Sequence, residues 1–336
     1  MKRKILFRIF VAVLSITLAA SLTPVICAVQ IESVKVTEEE NAPMNYAPIA
    51  ENLNYTTYKG VSINGNFQAV DPEGDMLGFR VVTPPRKGTL QISEGSFVYI
   101  PAEGKKGKDS FTYVAIDTAG NISAEAKVNI LIEKQSTKIT YSDMTGNGSH
   151  YSALRLAEKG IFVGEKIGDG YFFNPDRAVT RGEFLTMCIS LAGIEPLEDI
   201  TKTGFADDEE MPLWVKPYVS TALMSGLVKG YETPTGAIVF DAASPITNAE
   251  AAVLLDNVLG ISDVHVSMVS VEPAVPAWAS QAALNLSACN IITPNTITME
   301  SAGTYLTRAQ AANMLSPAID FIEAKKSNSS LLSWAW

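Results

Sequence analysis

A short motif that occurs three times constrains this chain more than any other feature. The copies are Val179-Thr180-Arg181-Gly182-Glu183, Ile246-Thr247-Asn248-Ala249-Glu250 and Leu306-Thr307-Arg308-Ala309-Gln310. In each copy a Thr precedes a Glu or Gln by three residues and an apolar stretch of helical period follows, which predicts a capping box at a helix start. The Arg of two copies opposes the helix dipole. It therefore indicates either an anion-binding group or a solvated surface side chain.

The motif closes a longer unit that also occurs three times. Tyr141-Ser142-Asp143, Phe205-Ala206-Asp207 and Val269-Ser270-Val271 open the units at a regular spacing. Each opening is followed by an aromatic position and a helical run, and in the first two units a glycine turn comes next. Because repetition at such a period marks an architecture of stacked units, residues 141–323 are predicted to be helical and repetitive.

Residues 46–134 follow a different pattern. Short alternating runs such as Thr89-Leu90-Gln91-Ile92 are separated by turn formers such as Asp71-Pro72-Glu73-Gly74-Asp75. This spacing predicts an all-β sandwich. The turn motif at residues 69–75, together with Lys87-Gly88-Thr89-Leu90 and Asp109-Ser110-Phe111-Thr112-Tyr113, resembles bacterial cadherin-like, immunoglobulin-type surface repeats. Such repeats serve as spacers or adhesive modules.

Some repeats of that kind bind calcium through acidic loop residues. The oxygen donors available here are Asp71, Glu73, Asp75 and Asp117. The alternative is that these acids only make turns. No other metal or cofactor is expected, because no His, Cys and Asp cluster has metal-ligand spacing.

The helical units resemble the S-layer homology (SLH) repeat of bacterial cell-surface proteins, in the order of their motifs from Tyr141 to Glu323. The resemblance implies an all-α, pseudo-threefold bundle of three SLH repeats, at 141–204, 205–268 and, in degenerate form, 269–323. In this family the grooves between repeats bind secondary cell-wall polymer, commonly through a pyruvylated terminal sugar. A ketal carboxylate suits a guanidinium beside helix amides.

The polymer-binding residues that the resemblance implies are unevenly present. They are Arg181, Asn248 and Arg308 at the Arg position, Trp214 and Trp278 at the aromatic position, Asp143 and Asp207 at the opening acid, and Gly164 and Gly230 at the turn. His150 and Val271 depart from the pattern, and Asn248 cannot form an ion pair. The Trp residues have an alternative role as core anchors, and the Asp residues as caps or turns.

The charge pattern favours one groove. The net charge is −10, and acids outnumber bases in the repeats, so an anionic polymer needs bases gathered locally. Most of these bases fall in the first repeat, at Arg155, Lys159, Lys166, Arg177 and Arg181. The groove that contains Arg181 is therefore expected to bind. The acidic run 207–210 is expected to be a solvated loop, and nucleic acid is not an expected partner.

The two ends of the sequence have their own patterns. Residues 1–28 have the basic start, apolar run and small residues of a secretory signal peptide, and 29–45 is predicted to be a linker. No later stretch is long enough to span a bilayer. Pro317 is expected to kink or end the last helix, which leaves 324–336 as a tail. Cys188 and Cys289 are expected to be buried free thiols.

The leading hypothesis is an exported protein of the cell wall or S-layer. It would bind an anionic, pyruvylated secondary wall polysaccharide through the SLH repeats and display the sandwich as a spacer or adhesive module. One alternative is an adhesin whose sandwich binds a protein or glycan on another surface. Another is a structural surface-layer component, in contact with other surface proteins, whose repeats no longer bind polymer. An enzyme is not expected, since no nucleophile and base can be paired.

Overall fold

The computed structural model describes residues 45–264, 275–293 and 296–332, with side chains described as far as residue 327. The predicted signal peptide, nearly all of the predicted linker, the opening of the third unit at Val271 and the last residues of the tail lie outside the described residues. Among the described residues, no helix has the length and apolar character needed to cross a membrane.

Nine strands form the first region. A four-stranded sheet has the order β2–β9–β8–β5 and a three-stranded sheet the order β3–β7–β6, with β2 and β9 parallel and β1 paired with β4. The strands are β1 Ile49–Ala50, β2 Leu53–Tyr58, β3 Ile63–Asn66, β4 Ala69–Val70, β5 Gly78–Thr83, β6 Gly88–Ser93, β7 Ser96–Pro101, β8 Gly107–Ile116 and β9 Ala126–Glu133.

Alternating side chains close this region into a sandwich. In β9 every second residue is buried, so Val128, Ile130 and Ile132 face the core. Phe97 and Phe111 meet there edge to face, with ring centroids 5.1 Å apart. The core joins residues of both sheets, as the alternating sequence pattern predicts.

Among the described residues, six α-helices, one short 3-10 helix at Asp208–Glu210 and two hairpins form the second region. The helices are α1 His150–Glu158, α2 Arg181–Ala192, α3 Lys216–Met224, α4 Asn248–Leu259, α5 Ala277–Ala288 and α6 Arg308–Leu332. The antiparallel hairpins are β10 Glu165–Ile167 with β11 Gly170–Phe172, and β12 Tyr231–Glu232 with β13 Ile238–Val239. The prediction of an all-α region was therefore wrong in this respect, because both glycine turns continue into short strands.

All three predicted capping boxes are confirmed. Thr180 and Glu183 bond each other's backbone amides at the start of α2, and Thr247 and Glu250 do so at α4. At α6, Gln310 accepts from the Thr307 amide and Thr307 accepts from the Gln310 amide. Each box satisfies two amides that a helix start leaves without partners.

The residues before the three boxes hydrogen-bond in a closed ring. The Val179 amide donates to Leu306 O (2.9 Å), the Leu306 amide to Ile246 O (2.8 Å), and the Ile246 amide to Val179 O (2.9 Å). The three apolar side chains are almost fully buried. The ring therefore joins segments that are far apart in the sequence around one shared core.

The last helix does not end at Pro317. It continues to Leu332, so the alternative that the helix ends at Pro317 was wrong, and the predicted tail begins as helix. Pro removes one backbone donor, and the helix is retained because its buried face packs into the core through Leu315, Ala318 and Ile319.

The sandwich and the helices share a junction. Tyr58 and Val61 belong to the core of the helical region rather than to the sandwich core. The Tyr58 ring lies 4.9 Å from that of Tyr151, and its hydroxyl donates to Glu158. The amide and hydroxyl of Ser136 also donate to Glu158. One carboxylate on α1 thus fixes both the end of β2 and the segment that joins the two regions.

Candidate functional site

The start of α2 presents Arg181 while its own amides are already bonded. The Arg181 amide donates to Ser244 O and the Gly182 amide to Ala242 O, both at 2.9 Å. The amide of Glu183 donates to the Thr180 side chain. The prediction that helix amides assist in holding an anion was therefore wrong here, because the neighbouring loop has taken these donors. The guanidinium has to act without them.

The Arg181 guanidinium is fixed on two sides. Its Nε donates to Phe240 O (3.0 Å) and its Nη1 to Glu250 Oε1 (2.9 Å). It lies over the rings of Phe240 and Tyr231, 5.4 and 5.7 Å from their centroids. Nη2 makes no hydrogen bond to any residue that the structure describes. Arg181 is therefore held in place by two contacts and keeps one donor group for a ligand.

The Arg181 side chain lines a cavity of about 470 Å³. The first repeat contributes Arg181, the second contributes Lys229, Gly230 and Tyr231, and the third contributes Trp278. Trp278 is 61% exposed, so at this position the alternative of a core anchor was wrong. We call this cavity the Arg181 groove. It combines two cations, the carboxylate of Glu250, an exposed indole and an apolar wall.

Gly230 is required by the shape of this groove. Its φ is +69°, and an added Cβ would lie 2.6 Å from Val239 O. Gly164 has a φ of +79°, and an added Cβ there would lie 2.5 Å from Phe172 O. Both turns therefore exclude side chains, and of the two only Gly230 lines the Arg181 groove.

Arg308, at the same position of α6, has different surroundings. Its Nη1 donates to Phe173 O (3.1 Å), whereas Arg181 uses Nε to donate to the equivalent Phe240 O. Its Nη2 lies 3.0 Å from Glu165 and 3.8 Å from Glu183. Arg308 is 4% exposed and lies over the Phe162 ring, 5.0 Å from the centroid. The guanidinium is therefore buried and neutralised by acids of this chain.

Asn248, at the same position of α4, replaces the cation with an amide. Its Nδ2 donates to Thr304 O (3.1 Å) and Ser301 O (3.2 Å), and the residue is 3% exposed. The neighbouring cavity of about 830 Å³ is lined in part by the sandwich residues Tyr55, Asn64 and Gln68. The sandwich therefore lies over this groove, and its described lining carries no charged residue.

The opening acids hold loops. Asp143 accepts from the amides of Phe173 (3.0 Å) and Asn174 (2.7 Å). Asp207 accepts from those of Phe240 (3.0 Å) and Asp241 (2.7 Å). Both carboxylates are occupied in this way, and neither lines the Arg181 groove. Their observed role is to fix the carbonyls of Phe173 and Phe240, which in turn orient Arg308 and Arg181.

Trp214 is 53% exposed, so it is not a core anchor either, but it does not line the Arg181 groove.

Two residues that contact Arg181 were not predicted from the sequence to do so, namely Tyr231 and Glu250. A comparison of the residues after Gly164 and Gly230 offers a signal, because Glu165 stands in one copy where Tyr231 stands in the other. Glu250 was interpreted only as a helix cap.

The argument from the charge of the first repeat was wrong. Arg155 forms an ion pair with Asp320 (2.7 Å) and Lys159 with Glu323 (2.5 Å). Both partners lie on α6, so these two cations are not part of the groove. Arg177 pairs with Glu165 (2.5 Å). The second cation of the Arg181 groove is Lys229, which comes from the second repeat. The number of basic residues in one repeat did not predict which charged side chains lie close together in the fold.

The acidic run 207–210 is not simply solvated. Asp208 pairs with Lys216 at 2.9 Å, and the two side chains are 17% and 8% exposed. The bond from Lys216, joined by the Thr203 amide, lowers the pKa of Asp208 to about 2. This pair links the acidic run to the first residue of α3.

A second acid is shifted in the opposite direction. Burial raises the pKa of Asp256 on α4 to about 6, and the nearby Asp263 adds to the rise while the side-chain amide of Asn285 opposes it. Asn285 Nδ2 donates to both carboxylate oxygens of Asp256.

Among the described cysteines, Cys188 is a buried free thiol as predicted, and Cys289 is free but only partly buried.

The four calcium candidates accept hydrogen bonds within their own turns or from other loops. Asp71 Oδ1 accepts from the amides of Glu73 and Asp75, each at 3.0 Å. Asp117 accepts from Asn121 and Asn45. The described residues contain no group of three or more acidic, His or Cys side chains arranged to hold a metal ion. Calcium binding stays a prediction, and the observed role of these acids is in the loops.

Comparison with known proteins agrees with both resemblances. Residues 45–134 match the bacterial cadherin-like domain and residues 140–185 match the S-layer homology domain. The chain is 26% identical over 122 residues to the surface-layer 125 kDa protein of Lysinibacillus sphaericus. It is 30% identical over 132 residues to the cellulosome-anchoring protein of Acetivibrio thermocellus. These matches cover 36% and 37% of this chain, but 10% and 27% of the two relatives.

Among solved structures, the SrpA adhesin of Streptococcus sanguinis matches at 18% identity with a TM-score of 0.25, over 38% of this chain and 86% of that one. A likeness this low supports no functional argument. The domain matches and the relatives define the class: this chain carries an immunoglobulin-like, bacterial cadherin-like domain followed by an SLH domain. Together with the two relatives, the SLH match supports a location at the bacterial cell wall or surface layer.

Proposed function

We propose that this protein attaches to the cell wall by binding a carboxylate-bearing secondary wall polysaccharide in the Arg181 groove. The observation that carries the proposal is a rigidly held guanidinium with one unbonded donor group, Nη2, in an open cavity that also contains Lys229 and Trp278. Hydrogen bonds from charged donors to carboxylates are the strong class. A pyruvate ketal supplies such a carboxylate on a sugar ring.

In this proposal the cations of the groove bind the carboxylate of the ligand and the indole contacts its sugar ring. Arg181 Nη2 would donate to the ligand carboxylate, and Lys229 would add a second positive charge in the same cavity. The exposed face of Trp278 would pack against the C–H face of a sugar ring. The chain as a whole is acidic. The two cations of this groove outnumber its one acid, Glu250, and so favour the local approach of an anionic polymer.

The groove depends on three repeats acting together. We propose that residues 141–323 form three SLH repeats with pseudo-threefold symmetry. The closed ring of Val179, Ile246 and Leu306 supports this arrangement, as do the three matching capping boxes. In it the Arg, the glycine turn and the Trp of one groove come from the first, second and third repeats in turn. A single repeat would therefore not bind.

The sandwich would be displayed at a fixed angle. Tyr58 and Val61 are part of the helical core, and Glu158 accepts hydrogen bonds from both Tyr58 and Ser136. A junction with shared core residues and satisfied polar groups resists bending. This supports a spacer that projects from the wall in a defined direction.

Co-sedimentation with purified wall sacculi tests the proposal. The full chain is expected to pellet with intact sacculi and to stay in solution with sacculi from which acid has removed the wall polymers. Arg181→Ala is expected to lose pelleting. Arg80→Ala, which removes the same charge from an exposed position of the sandwich, is the matched control and should pellet like the parent. Undiminished pelleting of Arg181→Ala would refute the role of the groove.

A further inference from the structure

The two arginines at matched helix starts differ in an acidic neighbour. After Gly230 the chain continues with Tyr231, whose ring lies beneath Arg181. After Gly164 it continues with Glu165, whose carboxylate lies 3.0 Å from Arg308. Phe240 and Phe173 provide the same backbone acceptor in both places, and Glu250 and Glu183 are both capping residues. The acid at position 165 is therefore the difference that bears most directly on an anionic ligand.

Glu165 takes the place that a ligand carboxylate would need. Its Oε1 is bonded by Arg308 Nη2 and by Arg177 Nη1 (2.5 Å). Glu183 adds a weaker contact to each of the same two arginines, at 3.8 Å. Two cations are thus balanced by two acids. An anion from outside would gain nothing in charge unless it displaced Glu165.

The competitor also has the advantage of being part of the chain. Glu165 is the first residue of β10, so its carboxylate is always close to Arg308, and a tethered group competes at a high effective concentration. Arg181 has one acid beside it, at 2.9 Å, and keeps Nη2 unbonded among the described residues. The same guanidinium chemistry is therefore available at one site and occupied at the other.

We propose that Arg308 and Arg177 form a second, latent carboxylate-binding site that Glu165 occupies in place of a ligand. This inference rests on the proposed function, since it assigns the same ligand class, a carboxylate-bearing glycan, to the second site. Glu165 is the residue that closes it. Its side chain is 40% exposed, so it can be replaced without opening the core. Without that acid, two arginines face one remaining carboxylate.

The test asks whether replacing Glu165 restores ligand binding to a chain in which Arg181→Ala has removed it. The probe is a methyl hexoside that carries a pyruvate ketal, titrated by calorimetry into the full chain. In the Arg181→Ala background, both Glu165→Gln and Glu165→Tyr are expected to raise the affinity at least tenfold over Arg181→Ala alone. Asp169→Asn, which removes an exposed acid from the same hairpin, is the control and should leave the affinity unchanged. Thermal unfolding of each variant verifies that it is folded.

Two outcomes separate this inference from the proposed function. If Arg181→Ala loses the probe and neither Glu165 variant regains it, the latent site is refuted while the Arg181 groove stands. If Arg181→Ala binds as the parent does, the groove is refuted. The latent site is then judged by Glu165→Gln in the otherwise unchanged chain, where the number of probe molecules bound per chain should rise by one. An unchanged number would refute it.

Discussion

Arg181 and Arg308 begin equivalent helices with the same cap and donate to the same kind of carbonyl, yet their environments are opposite. The Arg181 side chain is 18% exposed, has one carboxylate partner and lines a cavity. Arg308 is 4% exposed and lies between two acids. A guanidinium that is already neutralised and buried contributes to the fold, whereas one with an unbonded donor can recognise a ligand. The motif alone does not distinguish the two.

The largest expected effect is on stability, and it falls on Arg308. Arg308→Ala removes a buried cation that bridges the first and third repeats, and leaves Glu165 and Glu183 close together. Breaking a buried pair costs about 3 kcal/mol. Arg181→Ala should cost about 1 kcal/mol, because its pair is more exposed. Urea unfolding of the full chain measures both, and equal losses would contradict the contrast between the two sites.

The next effect is on binding and compares the two tryptophans. Trp278→Ala should weaken binding of a pyruvylated hexoside by about 1 kcal/mol, roughly fivefold, since it removes on the order of 40 Å² of apolar contact. Trp214→Ala should leave the affinity unchanged, because Trp214 does not line the Arg181 groove. Fluorescence titration of the two variants is the measurement. A larger loss from Trp214→Ala would place the ligand elsewhere.

A smaller gain is expected when the acid beside Arg181 is neutralised. Glu250→Gln keeps the helix cap, because Gln serves in the same box at α6, but removes the charge that competes for Nη1. Affinity should rise about threefold, the effect of an exposed ion pair of about 0.6 kcal/mol. Glu183→Gln is the matched variant beside Arg308 and should change nothing while Glu165 remains. Weaker binding by Glu250→Gln would show that Glu250 serves the ligand directly.

The smallest expected effect is a dependence of the melting temperature on pH, which distinguishes a change in stability from a change in binding. Because the pKa of Asp256 is raised to about 6 in the folded chain, the folded state holds this proton more tightly than the unfolded state. Its contribution to stability is full below about pH 4 and is lost as the pH rises through 6. The melting temperature should therefore rise by a few degrees from pH 7 to pH 5.

Asp256→Asn should abolish that rise. The Asp208–Lys216 pair does not interfere, because a carboxyl whose pKa is lowered to about 2 keeps its contribution down to about pH 4. A loss of wall binding between pH 7 and pH 5 would then reflect the groove or its ligand instead of unfolding. A melting temperature that falls over this range, equally in the parent and in Asp256→Asn, would contradict the assignment.

Local chemistry predicted most of the elements. Thr180 with Glu183 and Thr247 with Glu250 identified helix starts because a capping box acts within four residues. Gly160 and Gly226, which directly follow the C-caps of α1 and α3, have the positive φ that glycine favours at such positions. The strands of the cadherin-like domain followed from alternation. What failed were local rules applied where packing decides: Pro317 lies inside a continuous helix because α6 is anchored in the core on both sides of it.

The site was harder to predict because its residues meet across the chain. Arg181, Lys229 and Trp278 share a cavity although they belong to three different repeats. Arg308 is neutralised by Glu165, from the other end of the repeat region. Net charge per repeat could not show this, since Arg155 and Lys159 pair with α6. The position of Arg181 was predictable from the repeat, and its surroundings were not.

The most direct test of the account is a crystal structure of the full chain with the pyruvylated hexoside bound. The account predicts one ligand, with its carboxylate within hydrogen-bond distance of Arg181 Nη2 and its ring against Trp278, while Arg308 keeps its contact with Glu165. A ligand carboxylate on Arg308 with Glu165 displaced, or a ligand bound away from Arg181, would contradict it.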